Sequence, residues 1–284
     1  MALSRASIGG GSITRFATRG AVLGAALFLC APLLALALLP GEVDPALWPH
    51  VREVMLPRAV TQTLVLLVGV GAFALVVGIA AAWAVTRFEF PARRVVEWLL
   101  ALPMAFPAYV LAYAFVAGLS FDSPTATAWR ALGFPADAFP EVRSLGGAVL
   151  VLGLALYPYI YLLMRAALLR QGSAGFDAAR TLGASPLRAF VRVVLPATRA
   201  AWLGGLGLVL LEVLADFGAV KMLGRDTLTT LVIQSWTGLN SLALAAQLSL
   251  GMLAVVLLVL LLARVLRVAE APPSPELRAP QRTR

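Results

Sequence analysis

Long runs of apolar residues alternate along this chain with short stretches that hold most of its charge. A helix of about 20 apolar residues crosses the hydrocarbon core of a bilayer. The pattern predicts an all-α integral membrane protein with six transmembrane helices, over residues 20–39, 61–86, 98–119, 145–164, 200–220 and 242–263. Residues 227–263 carry no charge and are too long for one helix perpendicular to the bilayer, so we assign 227–240 to an outer segment.

The composition favours a membrane protein over a soluble one. Of the 284 residues, 61% are hydrophobic and 13% are charged, whereas about a quarter of the residues in a soluble domain are charged. The net charge of +9 raises the question of nucleic acid binding. The basic residues lie beside the apolar runs and form no separate basic domain. We therefore expect the lipid bilayer as a partner, and no nucleic acid.

The basic residues also predict the orientation of the spans, because Lys and Arg are enriched in cytoplasmic loops. Three lie in the lead at residues 1–19, three in the loop after the second span, six in residues 165–199 and five after the sixth span, so 17 of 23 fall on one side. We expect this side, with both termini, to be cytoplasmic. The six spans then form one domain over residues 20–266, and the proline-rich tail at 267–284 is expected to be disordered.

Residues 177–196, DAARTLGASPLRAFVRVVLP, form a short, basic, amphipathic stretch in the cytoplasmic loop after the fourth span. Its first part is expected to be a helix that ends at Gly183, because glycine adopts positive φ without a clash from Cβ. Ser185 suits an N-cap, and Pro186 suits the first position of a second helix. Helical spacing then predicts one apolar face made of Leu187, Phe190, Val191 and Val194, and a basic edge made of Arg188 and Arg192.

The same stretch resembles the cytoplasmic signature of the membrane subunits of bacterial ABC importers. That signature is Glu-Ala-Ala, three residues, Gly, nine residues, an aliphatic residue, one residue and then Leu-Pro. Every spacing is kept here, at Asp177, Ala178, Ala179, Gly183, Val193, Leu195 and Pro196. Asp177 stands where the family has Glu and is one methylene shorter. The resemblance implies the type I ABC importer permease fold, located in the inner (cytoplasmic) membrane of a bacterium.

The resemblance also implies partners. In ABC importers the signature helices bind in a groove of each of two cytoplasmic ATP-binding subunits. Leu187 and Phe190 would be the apolar anchors in that groove, with Arg188 and Arg192 at its polar edge. A periplasmic solute-binding protein would dock on the outer loops, around residues 40–58 and 121–144. A second permease half, or a second copy of this chain, would complete the transporter.

No nucleotide chemistry is expected of this chain itself. The phosphate-binding motif Gly-x-x-x-x-Gly-Lys-Ser/Thr requires a lysine, and Lys221, the only lysine, is followed by Met222. The sequence predicts a transport subunit that is not an enzyme and binds no cofactor, with ATP used by a separate subunit. Two other classes stay open at this point, namely a secondary transporter driven by an ion gradient and a non-transporting membrane scaffold.

Two carboxylates inside the fifth span, Glu212 and Asp216, are candidates for the translocation path. They are four residues apart and would share one helix face. A carboxylate inside a membrane is energetically costly and is by default a sign of function, so the pair would line a path for a cationic or metal substrate. The alternative is that they pair with Lys221, Arg225 or a neighbouring helix, or that Asp216 lies near the outer interface of the membrane.

Further stretches resemble the permeases of ferric iron ABC importers, at residues 86–94, 102–113, 140–147, 181–186 and 214–218. The likeness extends from about residue 39 to 266 and is to the first half of permeases that hold two such halves. It implies ferric iron as the substrate, and thiamine, polyamines or oxyanions are the alternatives because their importers share the architecture.

Five tyrosines invite assignment as ferric iron ligands, namely Tyr109, Tyr113, Tyr157, Tyr159 and Tyr161. Tyrosine is also enriched at the edges of membranes. We therefore expect interfacial and packing roles for them and assign no metal site.

Overall fold

A computed structural model describes residues 47–268 continuously, together with Pro45 and positions 20–22, 24–25, 27–28, 30–32, 34 and 36. The described positions between 20 and 36 are helical, as expected for a span at 20–39. The predicted lead at 1–19 and residues 269–284 of the predicted tail lie outside the described residues. Residues 267 and 268, assigned to the tail from the sequence, belong to the last helix, and the domain boundary at 266 stays a prediction.

The described chain is helical apart from its connecting turns. In chain order the helices are α1 (Leu47–Arg87, with a π-helical turn at Val51–Met55), α2 (Arg93–Ala105, whose last turn, Leu102–Ala105, is 3-10), α3 (Ala108–Gly118), α4 (Pro124–Ala131), α5 (Leu145–Gln171), α6 (Ala174–Thr181), α7 (Pro186–Ala197, with a π-helical turn at Phe190–Val194), α8 (Arg199–Ala215), α9 (Gly218–Met222), α10 (Leu228–Thr237) and α11 (Leu242–Val268). A 3-10 turn at Ala136–Ala138 follows α4.

Three of these helices, α1, α5 and α11, are long and apolar enough to cross a membrane. Two bent pairs pass the same test together, α2 with α3 at an angle of 97° and α7 with α8 at 73°. Residues 47–268 therefore hold three candidate spans, or five if each bent pair crosses once. The all-α membrane fold is confirmed, whereas the total of six spans and the side of the termini stay predictions.

The predicted span at 98–119 is broken between α2 and α3. Proline has no N–H to continue the helical hydrogen bonds, and both Pro103 and Pro107 lie at the break. Phe106 between them is extended, with φ −106° and ψ 133°. The sequence predicts a kink at these prolines, and the structure shows a bend of 97° between the two helices.

Two tyrosines of α5 hold α2 in place. The hydroxyl of Tyr157 donates to the carbonyl oxygen of Leu100 at 2.8 Å, and the hydroxyl of Tyr161 donates to the carbonyl oxygen of Glu97 at 3.1 Å. Both acceptors lie in the turns just before Pro103, where helical hydrogen bonding ends. The packing role predicted for these two tyrosines is confirmed.

The predicted span at 200–220 is also shorter than expected. α8 ends at Ala215, and Asp216 has extended backbone angles, φ −73° and ψ 118°. The short helix α9 then begins at Gly218. Glu212 and Asp216 therefore do not share one helix face, and that prediction is wrong. The carboxylate of Asp216 explains the break, because it accepts the N–H groups of Ala219 at 2.8 Å and Val220 at 3.1 Å and so caps α9.

The segment assigned to the outer side forms the helix α10, which packs on α11 and α1. Polar groups attach its start to α1. The side-chain oxygen of Gln62 accepts the N–H of Asp226 at 2.9 Å, and the hydroxyl of Thr63 accepts the N–H of Leu228 at 3.0 Å. Arg58 forms an ion pair with Asp226 at 3.0 Å. These contacts fix the turn between α9 and α10 against the opposite end of α1 from Arg87.

The core lies around α5, which packs against both α1 and α8. The fully buried Ile160 of α5 fits between glycines of these two neighbours. A Cβ at Gly78 of α1 would lie 2.9 Å from Cβ of Ile160, and a Cβ at Gly205 of α8 would lie 2.8 Å from its Cα. Small residues at helix contacts allow this close approach, which is the main source of helix association in membranes.

We expect Gly205→Ala to destabilise the protein, because the new methyl would meet backbone atoms of α5 that cannot move independently. Overpacking of this kind costs about 1–3 kcal/mol, which would lower the midpoint of thermal unfolding in detergent. The matched control is Gly207→Ala on the same helix, where the nearest atom to an added Cβ is 3.9 Å away. Equal midpoints for the two variants would contradict the close packing of α5 and α8.

Candidate coupling site

Residues 174–197, here called the signature elbow, form the helix–turn–helix that the sequence predicts. α6 ends at the turn that contains Gly183, whose φ is +86°. The hydroxyl of Ser185 accepts the N–H of Arg188 at 3.3 Å and caps α7, and Pro186 is the first residue of that helix. The predicted break, cap and helix start are all confirmed.

The elbow continues into the membrane through a bend at Thr198. The hydroxyl of Thr198 donates to the carbonyl oxygen of Val194 at 2.9 Å. The indole N–H of Trp202 on α8 donates to the carbonyl oxygen of Leu195 at 3.1 Å. The carbonyl oxygen of Val194 also accepts the backbone N–H of Thr198 at 3.0 Å, so α7 and α8 are joined by a hydrogen-bonded bend.

Three aromatic side chains join the elbow to α1. The ring of Trp83 on α1 lies 5.2 Å from that of Phe176 on α6 and 4.7 Å from that of Phe190 on α7, measured between centroids. Phe176 is buried and Phe190 is half-buried. Sequence reasoning did not assign Phe176 or Trp83 to the site, because neither belongs to the signature. Both helices of the elbow thus pack against one residue of α1, Trp83.

An ion pair lies beside the aromatic cluster. A guanidinium nitrogen of Arg87, the last residue of α1, donates to a carboxylate oxygen of Asp177 at 2.8 Å. The same guanidinium lies over the ring of Phe176, 4.5 Å from its centroid. The first position of the signature is therefore bonded to α1 of the same chain, a contact that the sequence did not predict.

The surroundings of Asp177 favour its charged form. A hydrogen bond from the Ser173 hydroxyl, followed by the one from Arg87, holds the pKa of the Asp177 carboxyl below its ordinary value, which is about 3.9. A carboxyl whose pKa is lowered by folding stabilises the folded protein, and this stabilisation is fully present above the ordinary pKa. The stabilisation is lost as the pH falls through the lowered pKa. The ion pair is therefore complete throughout the neutral range.

The residues of the predicted apolar face of α7 differ in their exposure, although Leu187 and Phe190 line the same groove. Val194 is buried and Phe190 is turned toward Trp83, whereas Leu187 is 72% exposed and Val191 is 48% exposed. A π-helical turn at Phe190–Val194 lies within this stretch. Leu182, in the turn before Gly183, is 89% exposed and was not singled out from the sequence.

Most of the remaining signature residues are exposed or half-buried. Arg188, Arg192 and Pro196 are exposed. Ala178 and Gly183 are exposed as well, and Ala179 and Leu195 are half-buried. The polar edge and the exposed apolar residue Leu187 thus lie together on the elbow, and their contact with an ATP-binding subunit stays a prediction.

Glu212 and Asp216 differ sharply in their surroundings. Glu212 is exposed on α8, and its carboxylate accepts a hydrogen bond from the Tyr159 hydroxyl at 3.2 Å. Asp216 is occupied by the N–H groups that start α9. Within residues 47–268 neither carboxylate forms an ion pair with Lys221 or Arg225. In the part of the chain that the structure describes, no group of three His, Cys, Asp or Glu residues could hold a metal ion.

Known proteins of similar sequence and fold are transporters. The chain is 27% identical over 234 residues, 81% of its length, to the Fe(3+)-transport system permease protein FbpB 2 of Haemophilus influenzae, and it spans 42% of that relative. It is 29% identical over 200 residues, 68% of its length, to the sulfate transport system permease protein CysT of Salmonella typhimurium, and it spans 69% of that relative. Its fold is similar to that of a chain in the crystal structure of a bacterial alginate ABC transporter in complex with an alginate-bound periplasmic protein. The TM-score is 0.73 and the sequence identity is 15%. The similarity covers 92% of this chain and 98% of the transporter chain.

The decisive comparison is with protein families. Residues 74–271 match the model of the binding-protein-dependent transport system inner membrane component. This range contains the signature elbow, the cluster around Trp83 and the helices α5, α8 and α11. The chain therefore belongs to the family of binding-protein-dependent transport system inner membrane components, the membrane-embedded permease subunits of ABC transporters.

Proposed function

We propose that this chain is a membrane subunit of an ATP-driven importer that moves ferric iron from a periplasmic binding protein into the cytoplasm by alternating access. The observation that carries the transport part is the bonding of the signature elbow to α1 through Arg87 and Asp177. A cytoplasmic ATPase that moves the elbow would thereby move a helix that spans the membrane. Two ATP-binding subunits, a periplasmic solute-binding protein and a second permease half or copy are the proposed partners.

The choice of a cation rests on Glu212. Carboxylates that line a path favour cations, whereas anion paths are lined by Arg and Lys. Glu212 is an exposed carboxylate on α8, and no basic side chain forms an ion pair with it in the described chain. Its neighbour, the Tyr159 hydroxyl, is a second hard oxygen group. Such an environment attracts a ferric ion and repels a sulfate ion.

An oxyanion is the second candidate, and similarity to the sulfate permease supports it. Uptake of radiolabelled ferric iron and of radiolabelled sulfate in cells that lack this gene separates the two. Loss of iron uptake alone, restored by the wild-type gene, is expected. Loss of sulfate uptake alone would reject iron and leave the permease assignment intact. Iron uptake that persists after ATP depletion, with the proton gradient maintained, would favour a secondary transporter instead.

Glu212→Gln is expected to lower iron uptake by about tenfold, because it removes the one charge that distinguishes this face of α8; a change of this size corresponds to about 1.4 kcal/mol. Glu89→Gln is the matched control, since Glu89 is an exposed carboxylate outside the helices. Wild-type uptake by the Glu212 variant would reject its role in the path. Glu212→Asp should keep most of the uptake.

A further inference from the structure

A large groove opens between α1, the signature elbow and α8. Its volume is about 790 Å³. One wall is a ridge of α1 that includes Leu75, Ile79 and Trp83, and the opposite wall includes Phe190 and Trp202. Nearly all of its lining is apolar. No part of residues 47–268 fills it.

The groove has the depth of one leaflet of a bilayer. Leu75 and Arg87 are twelve residues apart on α1, which corresponds to about 18 Å along a helix. Half of the hydrocarbon core measures about 15 Å. Since Arg87 marks the cytoplasmic end of α1, the groove extends from the cytoplasmic surface to about the middle of the membrane. Leu187, the proposed anchor for the ATP-binding subunit, lines the cytoplasmic end of the groove, so a docked subunit would reach that end and not the inner part.

The cytoplasmic end of the groove is positively charged. Arg87 and Arg180 are the charged residues among those that line it, and no carboxylate lines it. Arg87 is bonded to Asp177, whereas Arg180 gives one of its five N–H groups to the carbonyl oxygen of Ala184 at 2.6 Å. A guanidinium with free donors binds phosphate oxygens in a bidentate manner.

A second cavity in the protein differs from the groove because carboxylates line it together with arginines. It is lined by Arg93, Arg94 and Arg165 but also by Glu89 and Glu97. Glu97 already binds Arg93 at 3.1 Å and Arg165 at 2.6 Å. Glu97 thus occupies two of the three arginines of this cavity, and the apolar lining of the cavity is far smaller than that of the groove, so it suits a lipid less well.

We propose that the groove between α1, the elbow and α8 binds one anionic phospholipid of the cytoplasmic leaflet. Its phosphate contacts Arg180, with Arg87 beside it, and an acyl chain lies along the α1 ridge between Trp83 and Trp202. Basic pockets at the cytoplasmic side of membrane helices bind anionic headgroups. The bound lipid touches both α1 and the elbow, so it stabilises their contact. This proposal depends on the orientation in the membrane and is independent of the solute.

Native mass spectrometry of the full chain in detergent tests the proposal, with phosphatidylglycerol and phosphatidylcholine as the probes. Wild-type protein is expected to keep at least about tenfold more phosphatidylglycerol than phosphatidylcholine, as a phosphate–Arg site with discrimination of about 1.4 kcal/mol would. Equal retention of the two lipids would overturn the proposal, because the Arg residues would then make no difference.

Two variants and two matched controls locate the site. Arg180→Gln removes the proposed phosphate partner, and Arg170→Gln removes a similar charge from the exposed cytoplasmic end of α5. Val76→Trp fills the groove, and Val68→Trp adds the same bulk two turns away on α1; both valines are 71% exposed, so neither change enters the core. Arg180→Gln and Val76→Trp should each reduce bound phosphatidylglycerol several-fold, and the controls should not.

Two outcomes would reject a lipid in this groove. One is unchanged lipid binding by Val76→Trp, which would show that the lipid lies elsewhere. The other is that Val76→Trp abolishes a dimer of the chain while leaving lipid binding intact, which would show that a second copy covers the groove.

Discussion

Replacing Arg87 by aspartate is expected to lower ATP-driven uptake by about tenfold, within the usual range for coupling between two sites. The substitution breaks the 2.8 Å contact with Asp177 and places two carboxylates where one ion pair stood. The elbow then loses its polar link to α1 while the aromatic contacts of Trp83 remain. Uptake per ATP hydrolysed, measured in proteoliposomes with the ATP-binding subunits, reports the change.

The charge-swapped double variant is the stronger test of this link. Arg87→Asp combined with Asp177→Arg restores opposite charges across the same pair, and we expect it to recover most of the lost uptake. Arg170→Asp, a charge reversal on the same cytoplasmic side, should leave uptake unchanged. If the double variant is no better than either single variant, the Arg87–Asp177 pair does not transmit movement between the elbow and α1.

Leu187→Asp is expected to weaken binding of the ATP-binding subunit by about thirtyfold, because loss of a central apolar anchor in an interface typically costs 2 kcal/mol or more. Leu187 is 72% exposed in the part of the chain that the structure describes. A charge at this position should leave folding intact and prevent burial in the groove of a partner. Co-purification of the two subunits and the ATPase rate of the complex measure the effect.

The matched control for this variant is Leu132→Asp. Leu132 is 74% exposed in the loop after α4, on the predicted outer side. Both variants should keep the wild-type midpoint of thermal unfolding. Equal loss of co-purification in the two would indicate a general effect of exposed charge, and would contradict a specific anchor on α7.

Sequence reasoning predicted the local geometry of the elbow well, because the signals are local. Gly183 adopts the positive φ expected of a helix end, and Ser185 and Pro186 start α7 as expected. These features depend on one residue and its immediate neighbours. The candidate spans α1, α5 and α11 could also be predicted from the sequence, because each depends only on the length and apolar composition of one continuous segment.

The features that sequence reasoning missed depend on contacts between distant residues. Nothing in the order of residues shows that Arg87 meets Asp177, ninety positions later, or that Trp83 lies between two phenylalanines. The break at Asp216 could have been predicted, since an Asp three residues before the N–H it accepts is a common helix cap. Because Asp216 lies within a long apolar run, the sequence instead indicated one continuous helix.

The central claim is that the signature elbow touches an ATP-binding subunit on the cytoplasmic side of the membrane. Cysteine cross-linking tests it most directly, because Cys30 is the only native cysteine and Cys30→Ser gives a thiol-free background. In that background, Leu187→Cys should cross-link to a single cysteine placed in the groove of the cognate ATP-binding subunit, and the yield should change when ATP is added. No cross-link, or labelling of this cysteine only from the periplasmic side of intact cells, would contradict the account.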